Sequence, residues 1–378
     1  MRSAKIRENP CSFENTHYNP CDPLDPYRTK THNAMTNKEQ YAVFCNTQPE
    51  MPVMMLPWWM DAVCAGKEWD VLLVRRSELE SPKDRKIQNA EAAAADTSST
   101  DEVVAAMPYL LRKRLWYKFI IMPQMSMFGG VWMNEELYAS PELQERLGKL
   151  IAERLRAMRI AYYYQQYPAN NPMPYWLGKN RMNVVERITY RVDNLSNIQE
   201  VEDAYSKNKK RQLHNAEDLK VDSTMVAEEF YRFHAACMAE RGKKLMYSRE
   251  FLLVLERKAR RAEQCAFIRI KQDTPTGETL AAAFVVWDKR YLYYLIPAYL
   301  PSAAKSGASA RLADEAIRMA KEKGLLFDFE GGNDDEGIAN HYRQFGSKAV
   351  QYKSVSKLYR PSFALLLWLN KLRMQWFN

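Results

Sequence analysis

At 378 residues, 47% hydrophobic and 27% charged, the chain carries enough apolar material for two cores of ordinary size, which excludes a natively unfolded protein. Its six scattered cysteines show no CxxC or paired spacing and its N-terminus shows no apolar signal-peptide core, so a reducing cytoplasm is expected. A net charge of +9 suits nucleic acid, an anionic membrane surface or a phosphate-rich ligand, and equally a basic surface with no special partner.

Residues 1–40 are rich in Asn, Pro, Thr and charge with little periodicity, and are expected to form a mobile arm in which Met35 is a second candidate start. Cys11, Cys21, His17 and His32 in this arm match no zinc-ligand spacing. Pro57 opens a helix-like PWWMDAVCA, and WDVLLV from Trp69 to Val74 reads as a strand. Ser77 to Asp101 is poor in large apolar residues and reads as an exposed loop. EVVAAMPYLL and LWYKFIIMP give two further strands. A Gly129-Gly130 loop follows, then Ser140-Pro141 caps and opens a helix through about Arg159, and AYYYQQY reads as an aromatic strand.

The second half repeats that order. Strands CAFIRI, TLAAAFVVW and YLYYLI lead to a small-residue loop, a helix from about Ser306 to Lys323, a strand LLFDFE, a short helix closed by Phe345-Gly346, and a strand KAVQYKSV. Both halves place alanines in the second strand, at Ala105-Ala106 and at Ala281 to Ala283. The expected fold is α/β (α+β): two related units in tandem, 41–175 and 176–358, each a mixed, mostly antiparallel sheet flanked by helices. A helical insertion is expected from about Ile198 to Ala262, and an amphipathic helix over 359–378. In that last helix Leu365, Trp368, Leu369, Leu372 and Trp376 share one face, with Lys371 and Arg373 on the other. Docking on the protein's own core is the expectation, and contact with an anionic membrane surface the alternative. No uncharged apolar run reaches the roughly 18 to 20 residues of a membrane span.

Three stretches carry candidate chemistry. In PSAAKSGASARL a helix starting at Ser306 would present free backbone N–H groups beside residues with almost no side chain, an arrangement suited to a pyrophosphate and equally to ordinary capping. Gly307 would let the backbone approach closely, Ser306 would cap and Lys305 would add charge. In LLFDFEGG a continued alternation puts Asp328 and Glu330 on one face, as a general base whose pKa repulsion and burial would raise, or as two carboxylates paired with nearby Lys or Arg. In GIANHYRQFG, Ile338, Tyr342 and Phe345 form one helical stripe. Tyr342 is either core or an acid whose hydroxyl reaches the same cleft. Lys207, Lys209, Lys210 and Arg211 cluster as a candidate phosphate or RNA patch, or a solvated helix face. His214, His234 and His341 show neither metal nor triad spacing and receive no catalytic role; no metal is expected.

The second-half order, with its acidic strand and its helix ending in Tyr-x-x-Phe-Gly, resembles the GNAT acyltransferase fold. The tandem resembles the Fem family of aminoacyl transferases and the bacterial FemAB-like proteins described as methicillin-resistance-like. LPWWMDAVCAGKEWDVLLV, AAMPYLLRKR and FDFEGG with GIANHYRQFGSKAVQY carry the likeness, over roughly Tyr41 to Val355. The resemblance implies that Lys305, Ser306, Gly307, Ala308 and Ser309 lie where GNAT enzymes bind the pyrophosphate of an acyl-CoA such as acetyl-CoA. Gly307 matches the family's Gln/Arg-x-x-Gly-x-Gly/Ala pattern, while Ala304 and Ser309 depart from it. It also implies that Tyr342 stands where many GNAT enzymes protonate the departing thiolate. The expected activity is N-acyl transfer from acyl-CoA to a small-molecule or peptide amine by the second unit, with Glu330 or Asp328 as base and Tyr342 as acid. The first unit is then structural or acceptor-binding. A Fem-type alternative takes the acyl group from aminoacyl-tRNA to a cell-wall precursor, with Lys210 and Arg211 on the RNA. A third reading is a non-catalytic GNAT fold that binds RNA or a membrane surface. A cytoplasmic location is expected, peripheral to the inner face of the membrane if the C-terminal helix makes contact there.

Overall fold

The computed structural model describes residues 35–64, 66–80, 101–274, 277–332 and 335–376, with side chains to residue 369. Residues 1–34 of the arm read over 1–40 and most of the loop before Asp101 lie outside them, whereas Asn37 to Gln40, read as arm, open α1 behind the cap Thr36. In chain order the first elements are α1 (Asn37–Asn46), α2 (Pro57–Val63), β1 (Trp69–Arg75), α3 (Arg76–Leu79), β2 (Val103–Arg114), β3 (Tyr117–Ile121), β4 (Trp132–Met133), α4 (Glu135–Ala139), α5 (Pro141–Ala157), β5 (Tyr162–Tyr167), α6 (Met173–Lys179) and β6 (Asn183–Val192). Next come α7 (Ile198–Asp203), α8 (Lys207–His214), β7 (Lys220–Asp222), α9 (Ala227–Glu240), α10 (Arg249–Arg261), β8 (Cys265–Lys271), β9 (Thr279–Trp287) and β10 (Tyr291–Tyr299). The chain ends in α11 (Ala308–Glu322), β11 (Leu326–Asp328), α12 (Glu336–Arg343), β12 (Lys348–Leu358) and α13 (Ser362–Trp376).

All twelve strands join one sheet, in the order β1-β2-β3-β5-β12-β6-β11-β10-β9-β8-β7, with β4 beside β2. The sheet is mixed and mostly antiparallel, and the parallel pairs are β3 with β5 and β10 with β11. The two expected units therefore share a sheet. The C-terminal β12 lies between β5 and β6, and β6 lies between β12 and β11, so a strand of the second unit pairs directly with the first. The stretch expected as a helical insertion supplies β7, which pairs with β8, and the helices α9 and α10, which pack beneath β8 to β10.

Local sequence explains the elements near the site. β9 is buried on both faces: Ala281, Ala283 and Val285 point to the core under α11, and Ala282, Phe284 and Val286 to the core under α10. Alanines at 308, 310, 313, 316 and 320 give α11 a small-residue face that lies close on β8, β9 and β10. α13 docks through Phe363, which packs on Tyr117, Phe119 and Tyr162, whereas Leu365, Trp368 and Leu369 stay exposed. Leu366 and Leu367 pack half-buried beside Phe363, so over the described side chains the docked face is not the expected one of Leu365, Trp368 and Leu369. No helix among the described residues is long and apolar enough to cross a membrane.

Candidate active site

The site forms where β11 stops. The alternation expected through Glu330 ends at Asp328, because Glu330 takes a left-handed backbone (φ 54°) and the strand does not continue. Asp328 is fully buried and its carboxylate is engaged: Oδ2 accepts from Arg191 Nε at 2.7 Å, and Oδ1 accepts from Thr189 Oγ1 at 2.6 Å and from the Glu330 N–H at 2.8 Å. Thr189 Oγ1 also accepts from the Gly331 N–H. Asp328 thus builds the turn that carries Glu330, and the two carboxylates do not form a pair on one strand face. Glu330 is half-buried as a residue, yet its carboxyl sits deep enough for burial, aided by the Asp328 charge, to hold its pKa well above the usual range. The Glu330 charge acts on both Tyr342 and Tyr352, which belong to different cores.

Between α9, the start of α11 and α12 a cavity of about 530 Å³ is lined by Tyr294, Pro297, Ser309, His234, His341 and Tyr342, among others. Two features open it. β10 pairs with β11 only over Tyr291 to Tyr293. Just beyond, β10 slips register against β9 between Tyr293 and Ile296, a bulge that disturbs the ladder and turns backbone groups away from it. Tyr342 is buried and stacks on Phe329 with ring centroids 4.2 Å apart, and burial followed by the Glu330 charge raises its phenol pKa. Gly332 (φ 97°) lets the turn pass close to the rings, since a Cβ there would lie 3.0 Å from Tyr190 and 3.3 Å from Tyr342.

The small-residue loop lies at the rim of this cavity through Ala304 and Ser309. Helix α11 starts two residues later than expected, at Ala308, and its cap is Gly307 at φ 77°. Ser306 Oγ accepts from the Ala308 N–H and donates to the Ala303 carbonyl, and Lys305 is exposed. The close approach expected at Gly307 is to the protein's own backbone: a Cβ would stand 1.9 Å from the Gln212 carbonyl oxygen of α8. Gly307 therefore seats α8 on the loop.

The basic cluster divides between two environments. Lys210 and Arg211 are exposed, and their side chains bond Asp203 O and Asn208 Oδ1. Lys210 lines a shallow depression of mixed charge, with Glu202, Asp203, Glu217 and Asp314 beside Arg311 and Arg318. Lys209 turns inward and is 1% exposed, with Nζ 2.9 Å from Gln212 Oε1, 3.1 Å from His341 Nδ1 and 4.6 Å from the Phe345 ring centre. His341 and His234, given no role from spacing, both line the cavity, and their partners Lys209 and Tyr247 are remote enough in sequence that no motif marks them.

A second cavity, of about 470 Å³, draws Gln48, Trp132 and Asn170 from the first half and Arg191, Asp288 and Tyr293 from the second. Tyr293 lines this second cavity and Tyr294 the first, so both cavities border β10.

Residues 204–344 match the family model described as "Acetyltransferase (GNAT) domain". The fold is similar to that of FemX, at TM-score 0.62 and 13% identity, over 85% of this chain and 96% of that one. Looser likenesses are to a tandem GNAT protein from the clavulanic acid biosynthesis pathway (TM-score 0.42, 11% identity, 77% and 98% of the two chains) and to L-PGS from Bacillus licheniformis (TM-score 0.45, 12% identity, 71% and 86%). No curated protein matches the sequence. Residues 204–344 thus resemble a GNAT acetyltransferase domain, and the chain shares its fold with FemX. The GNAT domain supports acyl transfer as its general chemistry.

Proposed function

We propose that this protein is an N-acyltransferase that moves an acyl group from an acyl-CoA to a primary amine. The observation that carries the reading is the open cavity between the bulged β10, the start of α11 and Tyr342. Backbone N–H groups freed at the bulge would polarise the acyl carbonyl, and the first turn of α11 beside Ser309 would face the donor's phosphates. Glu330, whose carboxyl burial holds above the usual carboxylate range, would take the proton of the attacking amine. The Tyr342 hydroxyl, which meets no hydrogen-bond partner among the described residues, would protonate the leaving thiolate. The acceptor would approach from the second cavity, which Arg191, the partner of Asp328, lines.

Titrating the protein with acetyl-CoA and with free CoA tests the donor by thermal shift, because saturation to about 100 times Kd adds about 2.7 kcal/mol. The blocking variant is Ser309→Trp at the cavity rim, since any side chain at Gly307 collides with α8. A saturable shift lost in Ser309→Trp supports the acyl-CoA donor. Its absence in the wild type turns the reading toward aminoacyl-tRNA, which the departures at Ala304 and Ser309 from the usual pyrophosphate pattern favour. The non-catalytic reading is disfavoured by a cavity that side chains leave open.

A further inference from the structure

Lys209 is a buried ammonium with no carboxylate within ion-pair distance among the described residues, an expensive arrangement for a lysine that only fills space. Its acceptors are Gln212 Oε1 and His341 Nδ1. An ammonium has donors only, so the Nδ1 that faces it must be an unprotonated acceptor, and the proton of the neutral ring must sit on Nε2. His341 lines the 530 Å³ cavity, and its Nε2 has no hydrogen-bond partner among the described residues.

We propose that His341 is a catalytic residue that presents Nε2–H to the acyl carbonyl oxygen of a donor held in this cavity, and that Lys209 is the positioning residue that fixes that tautomer. The proposal rests on the donor cavity assigned above and adds the side-chain donor that complements the N–H groups of β10. No proton is transferred: the Nε2–H bond strengthens as the carbonyl oxygen gains charge on amine attack and relaxes when the C–S bond breaks.

The surroundings support a neutral ring. Burial, with Lys209 beside it, pushes the imidazole down to about 4, and burial pushes Lys209 down to about 8. Across the cavity from α9 stand His234, also lowered to about 4 by burial, and Arg241, whose guanidinium covers the Tyr299 ring. α12 contributes Asp335 and Tyr342, and the Glu330 charge reaches Tyr342. Between pH 5 and 8, His341 stays neutral and Lys209 charged, so the tautomer is held. Above about 8 Lys209 loses its proton and the lock is released.

The test uses the full chain, acetyl-CoA, and the primary amines glycinamide and lysine, with free thiol as the readout. His341→Phe is expected to lower kcat about 100-fold, the scale of one lost oxyanion donor, with the Kd for acetyl-CoA within twofold. His341→Gln, which keeps a side-chain N–H, is expected to recover part of that loss. Lys209→Met is expected to abolish the decline in rate above pH 8 and, by nitrogen NMR of the His341 ring, to mix tautomers that are purely Nε2–H in the wild type. An active wild type with His341→Phe equally active, or a ring protonated on Nδ1, overturns the proposal alone. A wild type inert toward acetyl-CoA removes the acyl-CoA reading and this role with it.

Discussion

Glu330 and Asp328 are two residues apart, and their carboxyls have opposite environments. Asp328 is held by Arg191, Thr189 and a backbone N–H, whereas burial works against the Glu330 charge. Glu330→Gln is expected to lower kcat by about 100-fold or more, the usual span of a general base, with donor Kd unchanged. Because its folded pKa is raised, Glu330 favours the folded state at acid pH and loses that contribution as pH rises through the folded value. Glu330→Gln should therefore match the wild type near pH 4 and exceed its melting temperature at pH 8, in a thermal melt series. Asp328→Asn leaves Arg191 buried without its counterion and is expected to cost about 3 kcal/mol in urea unfolding. An Asp328→Asn protein of wild-type stability and no activity would instead make Asp328 the base. Tyr342→Phe is expected to cost 10- to 100-fold in kcat if the phenol is the acid, and full activity would return it to the core. That carboxylates and a tyrosine gather here was legible in the sequence. Their division of labour was not, because it depends on Arg191, 137 positions away in sequence.

Elements were legible where capping and periodicity agree. Ser140 accepts from Leu143 N and Pro141 occupies the first turn, so α5 begins as the sequence predicts. β11 was overextended, since alternation continues in the residues while the backbone turns into the left-handed region. The basic run at 207–211 reads as one surface. An eight-residue helix nevertheless turns consecutive residues about 100° apart, and one of those directions faces the core. Gly307 is the seam between α8 and α11. Gly307→Ala places a Cβ 1.9 Å from a backbone oxygen at φ 77°, so α8 must shift. It is expected to cost about 1–3 kcal/mol in thermal melts, and to slow turnover by displacing Lys209 from His341.

The sheet makes the two halves interdependent. β12 runs antiparallel to β5 over six residue pairs and to β6 over nine, so removing it exposes strand edges in the middle of the molecule. Residues 35–175 and residues 176–347 expressed separately are expected to lack cooperative unfolding and dispersed amide spectra, and to regain both only when β12 is present with its partners. A well-folded 35–175 fragment would show that β12 is dispensable to the first half. The second cavity draws its walls from both halves and is lost with either.

What the sequence by itself determines is local: the strands, most helix starts, the repeated order of elements, and the stretch in which Glu330, Tyr342 and the Ser306 loop gather. These follow from periodicity, capping and turn chemistry, which act over a few residues. Tertiary structure alone decides that the halves share one sheet, that Asp328 is spent on Arg191, and that Lys209 turns inward to His341. Each of these is a pairing across more than a hundred residues, set by which buried polar groups can satisfy one another once the chain is packed.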